Sequence, residues 1–274
     1  MPPENTCVYI IVPIHNRIKI TEIFINCLLK QTYKNYHLLL IDDGSTDGTE
    51  IFVKKMIKSL TLIKGNGNLW VGGCFQKGYK WLINNAKGSD SIVLLINNDT
   101  YFEENFLETA VKLMDINSQS ILLAKAYDLN SGILFDQGKC IDWKRFKIND
   151  ATPENPANCF STRGLFLRFS DMLKIGEFHN ILLPHYGGDY EYTIRAYRKG
   201  YKLITDENLK LWITNEPTGI QNKYSRTIFS LKNNVFSKRN PMNPYYLTIF
   251  LIFACPFRYF PRNLIRVWYR GLNI

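Results

Sequence analysis

Leu38-Leu39-Leu40-Ile41-Asp42-Asp43-Gly44-Ser45-Thr46-Asp47-Gly48-Thr49 runs four apolar residues straight into two carboxylates and a turn. A strand buried on both faces reads as a continuous apolar run, and in open α/β sheets ligands sit just beyond the carboxyl ends of such strands. Asp42 and Asp43 occupy that place. Two readings compete there. In one, Asp42 ends the strand, Gly44 turns the chain, and Ser45 or Asp47 caps a helix beginning near Thr49. In the other the acids carry chemistry, because a single acid is enough to end a strand. Capping suits Asp47; the chemical reading suits the adjacent pair.

Outward from this point the chain alternates. Val8 to Val12 is a short β-rich run ended by Pro13, and Ile20, Ile23, Phe24, Cys27 and Leu28 then recur at helical spacing. After the Asp42-Asp43 turn, Ile51, Phe52, Met56 and Leu60 mark a second helix and Leu62-Ile63 a brief strand. Gly65, Gly67, Gly72 and Gly73 mark a loop, and Phe75, Gly78, Tyr79 and Leu82 share one face of a third helix. Ile92 to Ile96 is a purely aliphatic strand ending at Asn97-Asn98-Asp99. This order predicts parallel βαβ units. From about Ile121 the pattern shortens to β-like pieces at 121–124, 133–135, 139–146 and 164–169, which suits a mixed sheet edge or hairpin. A further helix follows Gly188, with Tyr190, Ile194 and Tyr197 as apolar positions and Lys199-Gly200 as its stop.

The chain has 274 residues and is 46% hydrophobic, enough for one large α/β domain or two small ones. Its formal charge of +10 is local: after Glu216 there are nine Lys and Arg residues and no acid, so the rest of the chain is nearly neutral. That argues for a local anionic partner and against a nucleic-acid groove. The cysteines (Cys7, Cys27, Cys74, Cys140, Cys159, Cys255) form no CxxC pair and have no His at metal-ligand spacing. Cys7, Cys27 and Cys74 read as small core residues. The first residues lack a basic region followed by an apolar one, so a reducing, cytoplasmic location is expected.

Two further acidic points repeat the first. Asn97-Asn98-Asp99-Thr100 ends its strand as Asp42-Asp43 ends its own; neighbouring strands would bring both to one crevice. Asp99 is then either a turn cap or one of the few carboxylates that a hard divalent cation needs when substrate phosphates complete its shell. Gly187-Gly188-Asp189-Tyr190-Glu191 places Asp189 at a helix start, as an N-cap or as a reactive carboxylate. Glu191 and Arg195 form an i,i+4 pair.

Taken together these points resemble the family 2 glycosyltransferases, inverting enzymes of the GT-A fold, from Cys7 to about Gly219. Val8 to Arg17 is similar to the family's first strand and loop, Leu40 to Asp47 to its nucleotide-binding turn, Asn97-Asn98-Asp99 to its DxD metal motif, and Gly188-Asp189-Tyr190-Glu191 to its ED motif. Asn66 to Gly73 resembles the glycine-rich loop of bacterial, rhamnosyltransferase-like members. The resemblance implies an α/β fold with a mixed, mostly parallel, Rossmann-like sheet flanked by helices. It implies a nucleotide site of Pro13, His15, Asn16, Asp42, Asp43, Asn68 and Gly73, with His15 stacking on the base, Asp43 bonding it and Asp42 supporting the loop or ribose. Asn98, Trp70, His185 and Glu191 would face the donor diphosphate or the acceptor, although Pro184-His185-Tyr186 equally suits a structural role. Asp99 would hold a divalent cation, Mn²⁺ or Mg²⁺, and Asp189 would be the catalytic base. Three features depart from the motifs: Asn97 replaces the first Asp of DxD, Gly188 replaces the Glu of ED, and the late His that helps hold metal is missing.

The implied chemistry is displacement at the anomeric carbon of a nucleotide-diphosphate sugar by a hydroxyl of a glycan or lipid-linked acceptor, in surface polysaccharide synthesis. The rival is a non-catalytic protein of the same shape that binds sugar nucleotide or acts as a scaffold. A dehydrogenase would need GxGxxG after the first strand, where Pro13-Ile14-His15-Asn16 stands. The expected organisation is a transferase domain over 1–218, with a nucleotide-sugar half at 1–100 and an acceptor half at 101–218, then a basic extension over 219–274. In that extension Tyr245 to Phe257 is apolar but far short of the roughly 20 residues of a spanning helix. Arg258, Arg262, Arg266 and Arg270 follow at intervals of four, with Pro261 expected to prevent one continuous helix. The stripe suits the inner face of an anionic membrane through 245–270, or a helix pair packed on the domain or on a second subunit.

Overall fold

The structure, a computed structural model, describes residues 6–214, 240 and 242–272, the last by its backbone alone. The boundary expected near residue 218 and the basic residues Lys223, Arg226, Lys232, Lys238 and Arg239 lie outside the described residues. The first half alternates as expected: β1 (Val8–Ile14), α1 (Ile18–Leu29), β2 (Tyr36–Asp42), α2 (Thr49–Met56), β3 (Leu60–Lys64), α3 (Trp70–Asn85) and β4 (Ile92–Leu95). The second half comprises β5 (Thr100–Tyr101), α4 (Phe106–Ile116), β6 (Ser120–Asp128), β7 (Leu134–Asp136), β8 (Lys139–Asp142), β9 (Lys147–Asp150), β10 (Leu165–Arg168), α5 (Phe169–Ile175), α6 (Gly188–Arg198) and β11 (Lys202–Ile213). Two C-terminal helices follow, α7 (Pro244–Ala254) and α8 (Phe260–Leu272), joined through a 3₁₀ turn at Phe257–Tyr259.

The main sheet has the order β3-β2-β1-β4-β10-β6-β11-β5, with β7 added against β6. β1 to β4 are parallel to one another, whereas β10 is antiparallel to both β4 and β6. β1 therefore feeds β2 on one side and lies against β4 on the other, which opens a crevice at their shared carboxyl end.

Residue parity explains the two layers. Along β1, Val8, Ile10, Val12 and Ile14 pack with α1 and α4 on one face, and Tyr9 and Ile11 with α3 on the other. Leu38 and Leu40 against Leu39 and Ile41, and Ile92 and Leu94 against Val93 and Leu95, divide in the same way. Both faces of these strands are buried, which is why they read as unbroken apolar runs. α3 crosses β1 at Gly78, where a Cβ would meet Ile11 side-chain carbons at 2.7 Å.

Several details differ from the sequence expectation. Gly72 and Gly73, read as loop, lie inside α3. The single β piece expected over 139–146 is the first strand of the β8–β9 hairpin plus its turn, in which the Asp142 carboxylate accepts from the Lys144 and Arg145 N–H groups and Phe146 has φ +49°. Pro261 does not break the last helix. It lies in the first turn of α8, where a missing N–H costs nothing. Cys74 is buried, and Cys7 and Cys27 pack against the core, as expected; all six cysteines are free thiols.

The C-terminal helices pack onto the α/β body. Ile249, Phe250, Leu251, Ala254, Cys255 and Val267 share a core with Leu183, Ile194, Ile141 and Phe146. The Asn243 side chain caps α7 by accepting from Tyr245 and Tyr246 N–H, and Arg198 of α6 donates to the Phe253 and Ala254 carbonyls at its other end. Asn263 and Arg266 of α8 donate to the Trp143 and Lys144 carbonyls, each at 2.8 Å. Among the described residues no helix is long and apolar enough to cross a membrane.

Candidate active site

The strand register puts the three motif ends at one edge of the sheet: Ile14 pairs with Asp42, Asp42 with Lys64, and Ile11 with Leu95. The loops that follow are stitched together. His15 Nδ1 lies 2.7 Å from the Asp43 carbonyl oxygen. The Asn16 N–H donates to Ser45 Oγ at 3.0 Å, and Asn16 Oδ1 accepts from the Thr46 N–H at 2.8 Å. Asn16 holds φ +48°, an uncommon conformation for a residue with a side chain and one that tends to persist where its surroundings determine it. Pro13 precedes it at the half-buried end of β1, opposite Ile41.

The paired acids divide their work. Asp42 Oδ1 accepts from the Ser45 N–H at 2.8 Å and fixes the turn. Asp43 faces the other way: Oδ1 accepts from Gly67 N–H at 2.8 Å, and Oδ2 from Leu69 and Trp70 N–H at 2.9 and 3.2 Å. Its carboxylate thus closes the glycine-rich loop and caps α3. Gly65 must be glycine for this to happen, since a Cβ there would lie 2.4 Å from Asp43 Oδ1. Asp47 bridges two helices, accepting from Ile18 N–H at the start of α1 and from Thr49 at the start of α2.

The start of α3 joins the two halves of the site. Trp70 has φ +56°, and its indole lies 4.9 Å from the His185 ring, centroid to centroid. The Gly72 N–H donates to the Pro184 carbonyl at 3.1 Å, and a Cβ on Gly72 would stand 3.0 Å from the Leu183 carbonyl oxygen. Gly73 lies one residue deeper, beside Leu69 and Asn180. Asn68 is exposed on the loop.

At the end of β4, Asn97 Oδ1 and Asp99 Oδ1 are buried without a hydrogen-bond partner, and Asp99 Oδ2 lies 3.6 Å from Arg17 Nη1. Buried oxygens without partners suit a hard cation, which prefers oxygen ligands and takes few from the protein when phosphates supply the rest. The residues present therefore fit a divalent ion, although among the described residues no three His, Cys, Asp or Glu side chains converge. Asn98 is turned inward: it is buried and donates to Thr21 Oγ1 at 2.9 Å, bracing β4 against α1.

Asp189 opens α6 after Gly187, which has φ +79°. Burial raises its carboxyl from the ordinary 3.8 to about 6; the Tyr190 N–H donated to Oδ1 at 2.9 Å and the charge of Arg163 oppose the rise, and Asp136 adds to it. Gly188 has a local reason, since a Cβ there would stand 3.0 Å from the Leu183 carbonyl oxygen. Glu191 is not part of this group. It is buried in a two-pronged pair with Arg195, at 2.9 and 3.0 Å, and lies 3.3 Å from His179 Nδ1. Arg195 also donates to the Ile175 and Glu177 carbonyls, so the pair ties α6 to the segment before it. Arg17, Arg163 and Asp136 belong to the site without having been assigned a role from sequence. Arg17 lies within the first motif, but Asp136 and Arg163 come from the irregular second half, where spacing carries no signal.

Comparison with known proteins bears on the family and the fold. The model described as Glycosyl transferase family 2 matches residues 9–173. The glycosyltransferase GlyG of Streptococcus pneumoniae serotype 4 is 28% identical over 123 residues, which are 43% of this chain and 38% of GlyG. The chain therefore spans well under half the length of that curated relative. S. aureus TarS 1–349 in complex with UDP-GlcNAc is similar with a TM-score of 0.61 at 17% identity, over 90% of this chain and 66% of that one. The mannosyltransferase PcManGT of Pyrobaculum calidifontis, in complex with GDP-Man and Mn²⁺, is similar with a TM-score of 0.56 at 17% identity, over 80% of this chain and 60% of that one. At such identities the likeness shows the fold, and the GT-A architecture expected from the motifs is borne out.

Proposed function

This chain belongs to glycosyl transferase family 2, and on that premise we propose that it transfers a sugar, with inversion, from a nucleotide-diphosphate sugar to a hydroxyl of a glycan or lipid-linked acceptor in surface polysaccharide synthesis. The observation that carries the reading is the bridge at α3. Asp43 caps Trp70, Trp70 packs on His185, and His185 lies four residues before Asp189, so the nucleotide end of the sheet is tied to the segment that leads into an acid with an adapted pKa.

In this reading Pro13, His15, Asn16, Asp42, Asn68 and Gly73 shape the nucleotide pocket, with His15 stacking on the base. An ionised carboxylate offers about four lone-pair sites. Three on Asp43 are used by the loop, which leaves one on Oδ1 for an N–H of the base. Trp70 and His185 line the passage to the acceptor, while Asn98 and Glu191 support it from within. The acceptor O–H gives its proton to the Asp189 carboxylate as its oxygen bonds to the anomeric carbon. The bond from that carbon to the β-phosphate oxygen breaks, and its electron pair leaves with the nucleoside diphosphate. A carboxyl at about 6 is ionised at neutral pH yet basic enough to accept a proton in the transition state. Attack from the face opposite the leaving group requires no enzyme nucleophile. Asn97 and Asp99 would hold Mn²⁺ or Mg²⁺, which when bound supplies charge stabilisation for the departing diphosphate. The test is turnover of nucleotide sugars by the full chain and by Asp189→Asn; equal transfer by both would remove Asp189 as the base.

We further propose peripheral attachment to the inner face of an anionic membrane. Phe257, Ile265 and Tyr269 are 89%, 71% and 70% exposed on the outer side of the helix pair, beside Arg258, Arg262 and Arg270. Sedimentation with anionic vesicles, compared for the full chain and for Phe257→Ser with Tyr269→Ser, tests this. Unchanged binding would assign the face to another partner.

A further inference from the structure

Arg17 is held more firmly than a surface arginine needs to be. Its backbone follows the strained Asn16, its carbonyl accepts from the Thr21 N–H and hydroxyl, and the next N–H, of Ile18, donates to Asp47. Asn16 itself is fastened to Ser45 and Thr46. The result is a firmly held backbone that carries a cationic side chain where the ends of β1, β2 and β4 meet, at the positive end of α1.

Its contact with Asp99 is loose by comparison. A separation of 3.6 Å is too long for a hydrogen bond, so the pair is coulombic, and the side chains are 33% and 17% exposed. Among the described residues the guanidinium makes no hydrogen bond, and its donors stay available. Asp99 meanwhile leaves Oδ1 buried and unpartnered, as does Asn97 its own Oδ1. Arg17 thus approaches only Oδ2 of Asp99 and leaves its other oxygen unengaged.

The charge count makes this arrangement consequential. Asp99 is the only acid of its motif, and all four histidines of the chain precede residue 186. One carboxylate leaves most of the diphosphate charge to be met by other groups, and guanidinium pairs with phosphate through two parallel, charge-assisted hydrogen bonds. We propose that Arg17 is a catalytic residue that binds the diphosphate of the donor directly, exchanging its loose contact with Asp99 for the phosphate oxygens. It meets the negative charge that arrives when the anomeric C–O bond breaks and its electron pair passes to the β-phosphate. Arg17 remains protonated throughout; the acceptor's proton goes to Asp189. The diphosphate then has a cation supplied by the chain itself, whether or not a metal is bound. This inference rests on the reading of the crevice as a nucleotide-diphosphate-sugar site.

Isothermal calorimetry with UDP, GDP, ADP, CDP and dTDP, on the full chain, separates the two ideas. Each ligand is titrated in EDTA and again in Mn²⁺, for wild type, Arg17→Ala and Arg17→Lys, with folding checked by circular dichroism. The expected result is that wild type binds at least one of them in EDTA, that Arg17→Ala weakens this roughly tenfold or more, and that Arg17→Lys recovers part of the loss. The salt dependence of binding should also flatten in Arg17→Ala. Equal affinity of Arg17→Ala and wild type in EDTA would overturn the role of Arg17 and leave the crevice reading standing. Wild-type binding seen only with Mn²⁺ would do the same. No binding of any nucleoside diphosphate under either condition would remove both.

Discussion

The ring of Phe250 lies against the backbone of Gly187, so close that a Cβ on that glycine would meet Phe250 Cδ2 at 3.3 Å. A C-terminal helix thereby braces the turn from which Asp189 projects two residues later. Phe250 is 3% exposed, and Phe250→Ala is expected to cost about 3 kcal/mol in denaturant unfolding. Because the turn loses its support, turnover should fall roughly tenfold even where the variant is folded.

Asp189 carries a pH signature. Its folded carboxyl stands near 6 against an ordinary 3.8, so the folded state holds a proton more tightly than the unfolded chain does. The contribution to stability is full below about pH 4 and is lost as pH rises through about 6. Asp189→Asn removes the loss. Thermal or denaturant unfolding should find the variant more stable than wild type at pH 8, by on the order of 2 kcal/mol once partial exposure is allowed for, with the gap closing in acid. Wild-type kcat/KM should decline below about pH 6 as the base is protonated.

Asp43 holds the glycine-rich loop and, in the proposed reading, the nucleotide base, and a substitution should remove both. Asp43→Ala leaves the Gly67, Leu69 and Trp70 N–H groups without their acceptor. We expect about 2 kcal/mol of lost stability and faster amide exchange at the start of α3, together with loss of nucleotide binding in calorimetry.

Glu191 is expected to matter for stability more than for chemistry. Glu191→Ala takes the carboxylate from the half-buried Arg195 guanidinium and should cost about 2 kcal/mol, measured by urea unfolding. Glu191→Gln keeps the shape and part of the hydrogen bonding. A folded Glu191→Gln is expected to retain the wild-type pH profile, since in the proposed reaction the acid that titrates is Asp189.

The strand ends were legible because burial on both faces writes itself into the sequence. Val8 to Val12, Leu38 to Ile41 and Ile92 to Ile96 are apolar at every position, and polarity resumes where the crevice begins. The glycines of α3 were harder to interpret. Gly72, Gly73 and Gly78 signal close approach by the Pro184 segment, Leu69 and Ile11, and a close approach inside a helix has the same letters as a loop. α4 and β11 did not figure among the sequence expectations, and their partners lie in the irregular half. The i,i+4 spacing of Glu191 and Arg195 could be read directly, but not the third member, His179, which reaches the pair through the fold. The packing of α7 and α8 on the domain was one of two readings that the sequence left open. An apolar helical stripe suits a bilayer or a protein face, and the residues that cover this one, such as Trp143 and Leu183, are distant in sequence.

The placement of β10 has a kinetic consequence. It fills the slot between β4 and β6, yet it is made some forty residues after β6 begins. Until it arrives, a growing or refolding chain holds two strands, β4 and β6, whose facing edges lack their antiparallel partner. Such long-range closure is slow, and open edges recruit strands from other chains. The step that joins β4 to β6 is therefore also one at which the protein is exposed to aggregation.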